Sequence, residues 1–145
     1  MTKKRSEVEA LRRFTVFLFT MGAFGAGTEL LLLGHIEDTL QLVPLVLLGL
    51  GLLALVGLWL RPRPSTLRAF RALMVLFTAS GFVGVYLHYR TNSEFELEMY
   101  PSLAGLDLVW ESLTGATPAL APATMAYLGL LGMASTYRHP GGGMS

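Results

Sequence analysis

Residues 39–60, TLQLVPLVLLGLGLLALVGLWL, contain no Asp, Glu, Lys or Arg. A soluble helix needs a polar face to turn towards water, and this segment has none. Its length matches the about 20 apolar residues that carry a helix across roughly 30 Å of hydrocarbon. Three more runs resemble it: 14–36, broken only by Glu29; 68–90, which contains His88; and 117–137, where Thr117 is placed to cap and Pro118 to occupy the first helical position. Inside lipid a helix satisfies all its own backbone hydrogen bonds, so the spacing predicts an all-α integral membrane protein, a four-transmembrane-helix bundle. A content of 52% hydrophobic against 14% charged residues agrees with lipid as the solvent. Cysteine is absent, which excludes disulfides, thiolate metal sites, cysteine nucleophiles and attached c-type haem.

The charges are sorted by position. All eleven Lys and Arg residues except Arg90 fall in the amino-terminal arm, in the RPRPSTLRAFR loop or in the tail, and all ten acids except Glu7 and Glu9 fall towards the other end. Basic residues flanking short loops stay on the cytoplasmic side, so both termini are expected there, in a multi-pass protein of the bacterial inner membrane. A cleaved signal peptide is the rival for the first run. It is disfavoured because four leucines follow Glu29 and extend the run to a full span.

Glu29 is the anomaly. A charge at mid-membrane costs about 2.5–3.5 kcal/mol on the lenient scale, so it needs a partner or a route to water. Gly22, Gly25, Ala26 and Glu29 share a helical face, as do Ser80, Gly81, Gly84 and His88. Small residues let helices approach closely, so Gly22, Ala26, Gly81 and Gly84 are expected at packing faces, with Glu29 turned into the bundle. Counted from Arg13 and Arg71 at 1.5 Å per residue, Glu29 and His88 lie at similar depth. They are expected to meet between the first and third helices, with Arg90 a competing partner for Glu29.

The loop at 91–116 holds most of the material outside the spans. EFELEMY alternates Glu94, Glu96 and Glu98 with Phe95, Leu97 and Met99, the pattern of a short extended segment with one apolar face. After Pro101, Ser102 can cap an interfacial amphipathic helix with Leu103, Leu106, Trp110 and Leu113 on one side, ending near Gly115. Asp107, Glu111, His35, Glu37 and Asp38 make the outer mouth acidic, and His35, Asp38 and Glu111 are the weak candidates for a divalent metal. A b-type haem on His35 and His88 is disfavoured, since His35 lies about 10 Å further out by residue count.

No hydrolase elbow, zinc-protease motif, phosphate-binding loop or nucleic-acid module is present, and the glycines at 141–143 read as a tail. No cofactor is predicted. The reading is a non-enzymatic subunit or accessory of a membrane assembly, with the lipid bilayer and either further copies or other membrane subunits as partners. The alternative is an outward-facing site for a proton, metal ion or small solute built from Glu29, His88, Arg90 and Glu96. A membrane-embedded enzyme using Glu29 and His88 as acid and base ranks third.

Overall fold

The computed structural model describes the backbone of residues 2–139 and the side chains of residues 6–139. The side chains of Lys3, Lys4 and Arg5 and the glycine tail at 141–143 lie outside the described residues. Among the described residues five helices follow one another: α1 (Thr2–Leu32), α2 (Thr39–Leu60), α3 (Pro64–Met99), α4 (Gly105–Thr114) and α5 (Ala123–Ser135). Three of them, α1, α2 and α3, are long and apolar enough to cross a membrane; α5 is a shorter apolar helix.

Helix boundaries follow local chemistry. Gly34 ends α1 with φ 64°, a left-handed value that glycine adopts without a Cβ penalty. The Gly34 N–H donates to Leu31 O at 3.1 Å and the His35 N–H to Leu30 O at 2.9 Å, the paired bonds of a Schellman cap. Asp38 opens α2 in a capping box: Gln41 Oε1 accepts from the Asp38 N–H at 3.3 Å and from the Glu37 N–H at 2.9 Å. Pro64 takes the first position of α3, where its missing N–H costs nothing, and Thr66 Oγ1 accepts from the Arg63 N–H at 3.1 Å.

The core is built around α3, which packs on α2, α4 and α5. Phe19, Phe70, Met74, Phe77 and Leu128 are almost fully buried, and the Phe19 ring meets Phe70 edge-on and Phe77 at a tilt, each with centroids 5.9 Å apart. Glycines make this density possible. A Cβ on Gly22 would lie 2.6 Å from Leu128 Cδ2, and one on Gly51 2.7 Å from Phe77 Cζ. At Gly81 it would strike the backbone nitrogen of Ala126, so α3 and α5 touch almost backbone to backbone. Trp59, Leu53 and Phe82 are exposed, as expected of a bundle whose outside is apolar.

Two expectations need correction. Residues 91–99 are not extended: α3 runs through them without a break, and no strand occurs among the described residues. The pairs Glu94/Glu98 and Phe95/Met99 are also four apart, and no Gly or Pro stands between Gly84 and Pro101 to stop the helix. The helix after Pro101 starts at Gly105 with Ala104 at its N-cap, so Ser102 lies in the turn and does not cap it. α4 then returns antiparallel along the end of α3, making a helical hairpin at the acidic end of the bundle.

Candidate functional site

The acidic end contains the side chains singled out for chemistry. Glu29 is exposed, on a shallow apolar surface of α1 with Met21, Phe24, Gly25, Thr28, Leu32 and Leu33. Its carboxylate makes no hydrogen bond or ion pair among the described residues. The inward face of α1 is centred on Phe19, Ala23, Ala26 and Leu30. Glu29 is six residues beyond Ala23, about 120° around the helix, and so looks outwards. Gly25 shares that outward direction, with nothing near its Cβ position, whereas Gly22 packs on Leu128.

His88 does not meet Glu29. Its nearest ionisable ring is His35, with centroids 6.4 Å apart and planes inclined at 45°. Counting residues put His35 about 10 Å beyond His88, but the left-handed turn at Gly34 folds the chain back and brings the two rings side by side. His88 is half-buried, its Nδ1 is buried without a hydrogen-bond partner, and the backbone carbonyl of Pro118 is within reach of the ring.

The remaining candidates are dispersed. Arg90 pairs with Glu94 one turn along α3 at 2.7 Å; both side chains are more than half exposed, so the pair contributes little. Glu96 is half-buried on α3. Asp38 Oδ1 accepts from the Leu40 N–H at 3.4 Å and serves as a helix cap, while Glu111 is exposed on α4. No group of three or more His, Cys, Asp or Glu residues able to hold a metal occurs among the described residues, so His35, Asp38 and Glu111 do not converge.

Asn92 was not singled out from the sequence, yet it organises this end. It is 2% exposed and uses its full hydrogen-bonding capacity. Nδ2 donates to Ser112 O at 2.9 Å and Thr117 O at 2.7 Å; Oδ1 accepts from the Thr117 N–H at 3.2 Å and from Thr117 Oγ1 at 2.7 Å. Ser93 Oγ and Ser112 Oγ are 2.7 Å apart, and Gly115 packs on the amide of Asn92. Its sequence neighbours, Arg90, Thr91, Ser93 and Glu94, are all polar, so nothing local marks Asn92 as the buried one.

At the basic end, guanidinium groups cap the carbonyls after α5. Arg71 donates through Nε to Thr136 Oγ1 at 2.9 Å and through a terminal nitrogen to Thr136 O at 3.1 Å; Arg12 donates to Arg138 O at 3.1 Å. Cations suit the negative end of a helix dipole. Burial, then Arg12 and Arg71, hold the His139 imidazole below its ordinary pKa.

Comparison with protein-family models, curated protein sequences and solved structures finds no match for the chain.

Proposed function

We propose that the chain is a four-span protein of the bacterial inner membrane, with both termini cytoplasmic, that works as a non-enzymatic subunit or accessory of a membrane assembly. The observation that carries this reading is Glu29, a carboxylate on the outward apolar face of α1 with no partner among the described residues, beside the open Gly25. An acid directed at lipid is costly even near an interface, and a helix that supplies a donor or a cation removes that cost. Gly25 lets such a helix come close. Gly49 and Gly57 on α2 are likewise open, with nothing near their Cβ positions.

The fourth span combines α5 with the turns before it. The N–H groups of Ala121, Ala123, Thr124 and Met125 bond back three residues at 3.0–3.1 Å. At about 2.0 Å per residue for such turns and 1.5 Å for the α-helix, the segment from Pro118 to Ser135 covers roughly 30 Å. The positive-inside distribution of Lys and Arg supports the orientation.

The test is native mass spectrometry of the protein extracted from its own membranes in mild detergent. The wild type is expected within a complex of several chains, whether copies or other subunits. Gly25→Leu and Glu29→Leu are expected to release it with helicity by circular dichroism unchanged. A wild-type protein that leaves the membrane only as a monomer refutes the proposal.

A further inference from the structure

We propose that His35 and His88 form a two-coordinate site for a soft monovalent cation, Cu(I), at the acidic end of the bundle, an inference independent of the subunit reading. The distance between the rings is the first ground. Two metal–nitrogen bonds of about 2 Å and the radii of two imidazoles sum to roughly 6 Å when the nitrogens face each other across an ion. The observed centroid separation is 6.4 Å. A tetrahedral angle at the metal would bring the rings about 1 Å closer, so the spacing suits a near-linear arrangement.

The second ground is the unused nitrogen. Burying a polar atom without a partner costs about 1–3 kcal/mol, and native structures rarely leave one so. His88 Nδ1 is such an atom. Nδ1, buried and without a partner, is a nitrogen that can offer its lone pair when the ring is neutral. A coordinate bond from that lone pair satisfies it and needs no proton transfer.

Coordination number selects the ion. Structural zinc takes four protein ligands, and catalytic zinc takes three plus a water. Among the described residues no third His, Cys, Asp or Glu completes such a set. Two neutral imidazoles leave a double charge unneutralised within the ligand set but suffice for copper in its monovalent state, for which imidazole is a competent ligand. His35 is held ready on the second residue of the Schellman turn, fixed by its N–H bond to Leu30 O at 2.9 Å.

The experiment uses the full chain in detergent micelles under a reductant. Cu(I) is titrated against a chromophoric Cu(I) chelator, and the bound metal is examined by X-ray absorption. The expected result is one equivalent of copper with two nitrogen neighbours and no sulfur, undisturbed by excess Zn(II). Binding should weaken at least about a hundred-fold in both His35→Gln and His88→Ala. X-ray absorption on the wild type decides the ligand set even where His88→Ala folds poorly. Failure of the wild type to compete with the chelator overturns the proposal. So does sulfur scattering from methionine, full copper retention in either variant, or isolation of the protein with a haem whose absorption is lost in both.

Discussion

Replacing Asn92 with alanine removes four hydrogen bonds at once, and the structure indicates what each is worth. The Ser112 carbonyl belongs to the last turn of α4, where no helical N–H remains to serve it, and Ser112 is fully buried. Leaving it without a donor costs about 1–3 kcal/mol. Thr117 is half-buried, so its three contacts recover part of their energy from water and lose about 1 kcal/mol together. The sum is about 3 kcal/mol, roughly a hundred-fold in the equilibrium between docked and undocked α4 at 1.4 kcal/mol per tenfold. Hydrogen exchange followed by mass spectrometry should show amides of residues 105–117 exchanging about a hundred-fold faster in Asn92→Ala, with residues 66–90 unchanged. Asn92→Asp keeps the acceptor for Thr117 and loses both donors, so it should fall at or beyond the alanine value. Exchange at 105–117 accelerated less than threefold in Asn92→Ala would refute the assignment of α4 docking to this side chain.

At the other end, the folded tail favours neutral His139, because burial and the neighbouring Arg12 and Arg71 lower its pKa from about 6.5. The unfolded tail then binds more protons than the docked one, so docking is intact above the ordinary value and is lost as pH falls through the lowered one. Protection factors at residues 136–139, taken relative to intrinsic exchange at each pH, should fall between pH 7.5 and pH 5, and His139→Gln should flatten that dependence; a wild-type profile that is already flat contradicts it. Gly81→Ala should lower thermal stability by about 1–3 kcal/mol, since its Cβ meets the Ala126 backbone, while Gly25→Ala faces open space and should stay within about 1 kcal/mol of wild type. Equal melting temperatures for the two variants would remove the distinction between inner and outer glycines.

Much of the helix pattern was legible because lipid demands long apolar runs, and residues 39–60 agree with α2 end to end. The continuation of α3 was not legible from alternation alone: over seven residues a period of 2 and a period of 3.6 place Glu94/Glu98 and Phe95/Met99 equally well. The uninterrupted absence of Gly and Pro after Gly84 was the better guide. The direction of Glu29 did not follow from its place among small residues. Small residues lie on both sides of α1, and only the large ones, Phe19 and Leu30, mark the face that packs. The pairing of His35 with His88 depends on the sense of one turn. Gly34 announced a helix end in the sequence, but the place to which the reversed chain carried the next side chain was a tertiary fact.

The unbroken course of α3 has a mechanical meaning. Its 36 residues form a rod of about 54 Å, clamped near one end by Arg71 on Thr136 and carrying the α4 hairpin at the other. Packing on α5 and the turns before it holds the rod as far as Gly81 and Gly84, so the free arm is the last 15 residues, about 22 Å, and a tilt of about 10° there swings the tip by roughly 4 Å. Whatever leans on Leu106 and Trp110, both widely exposed at that tip, would therefore load first the close contact of Gly84 with Pro122, where α3 meets the turns before α5.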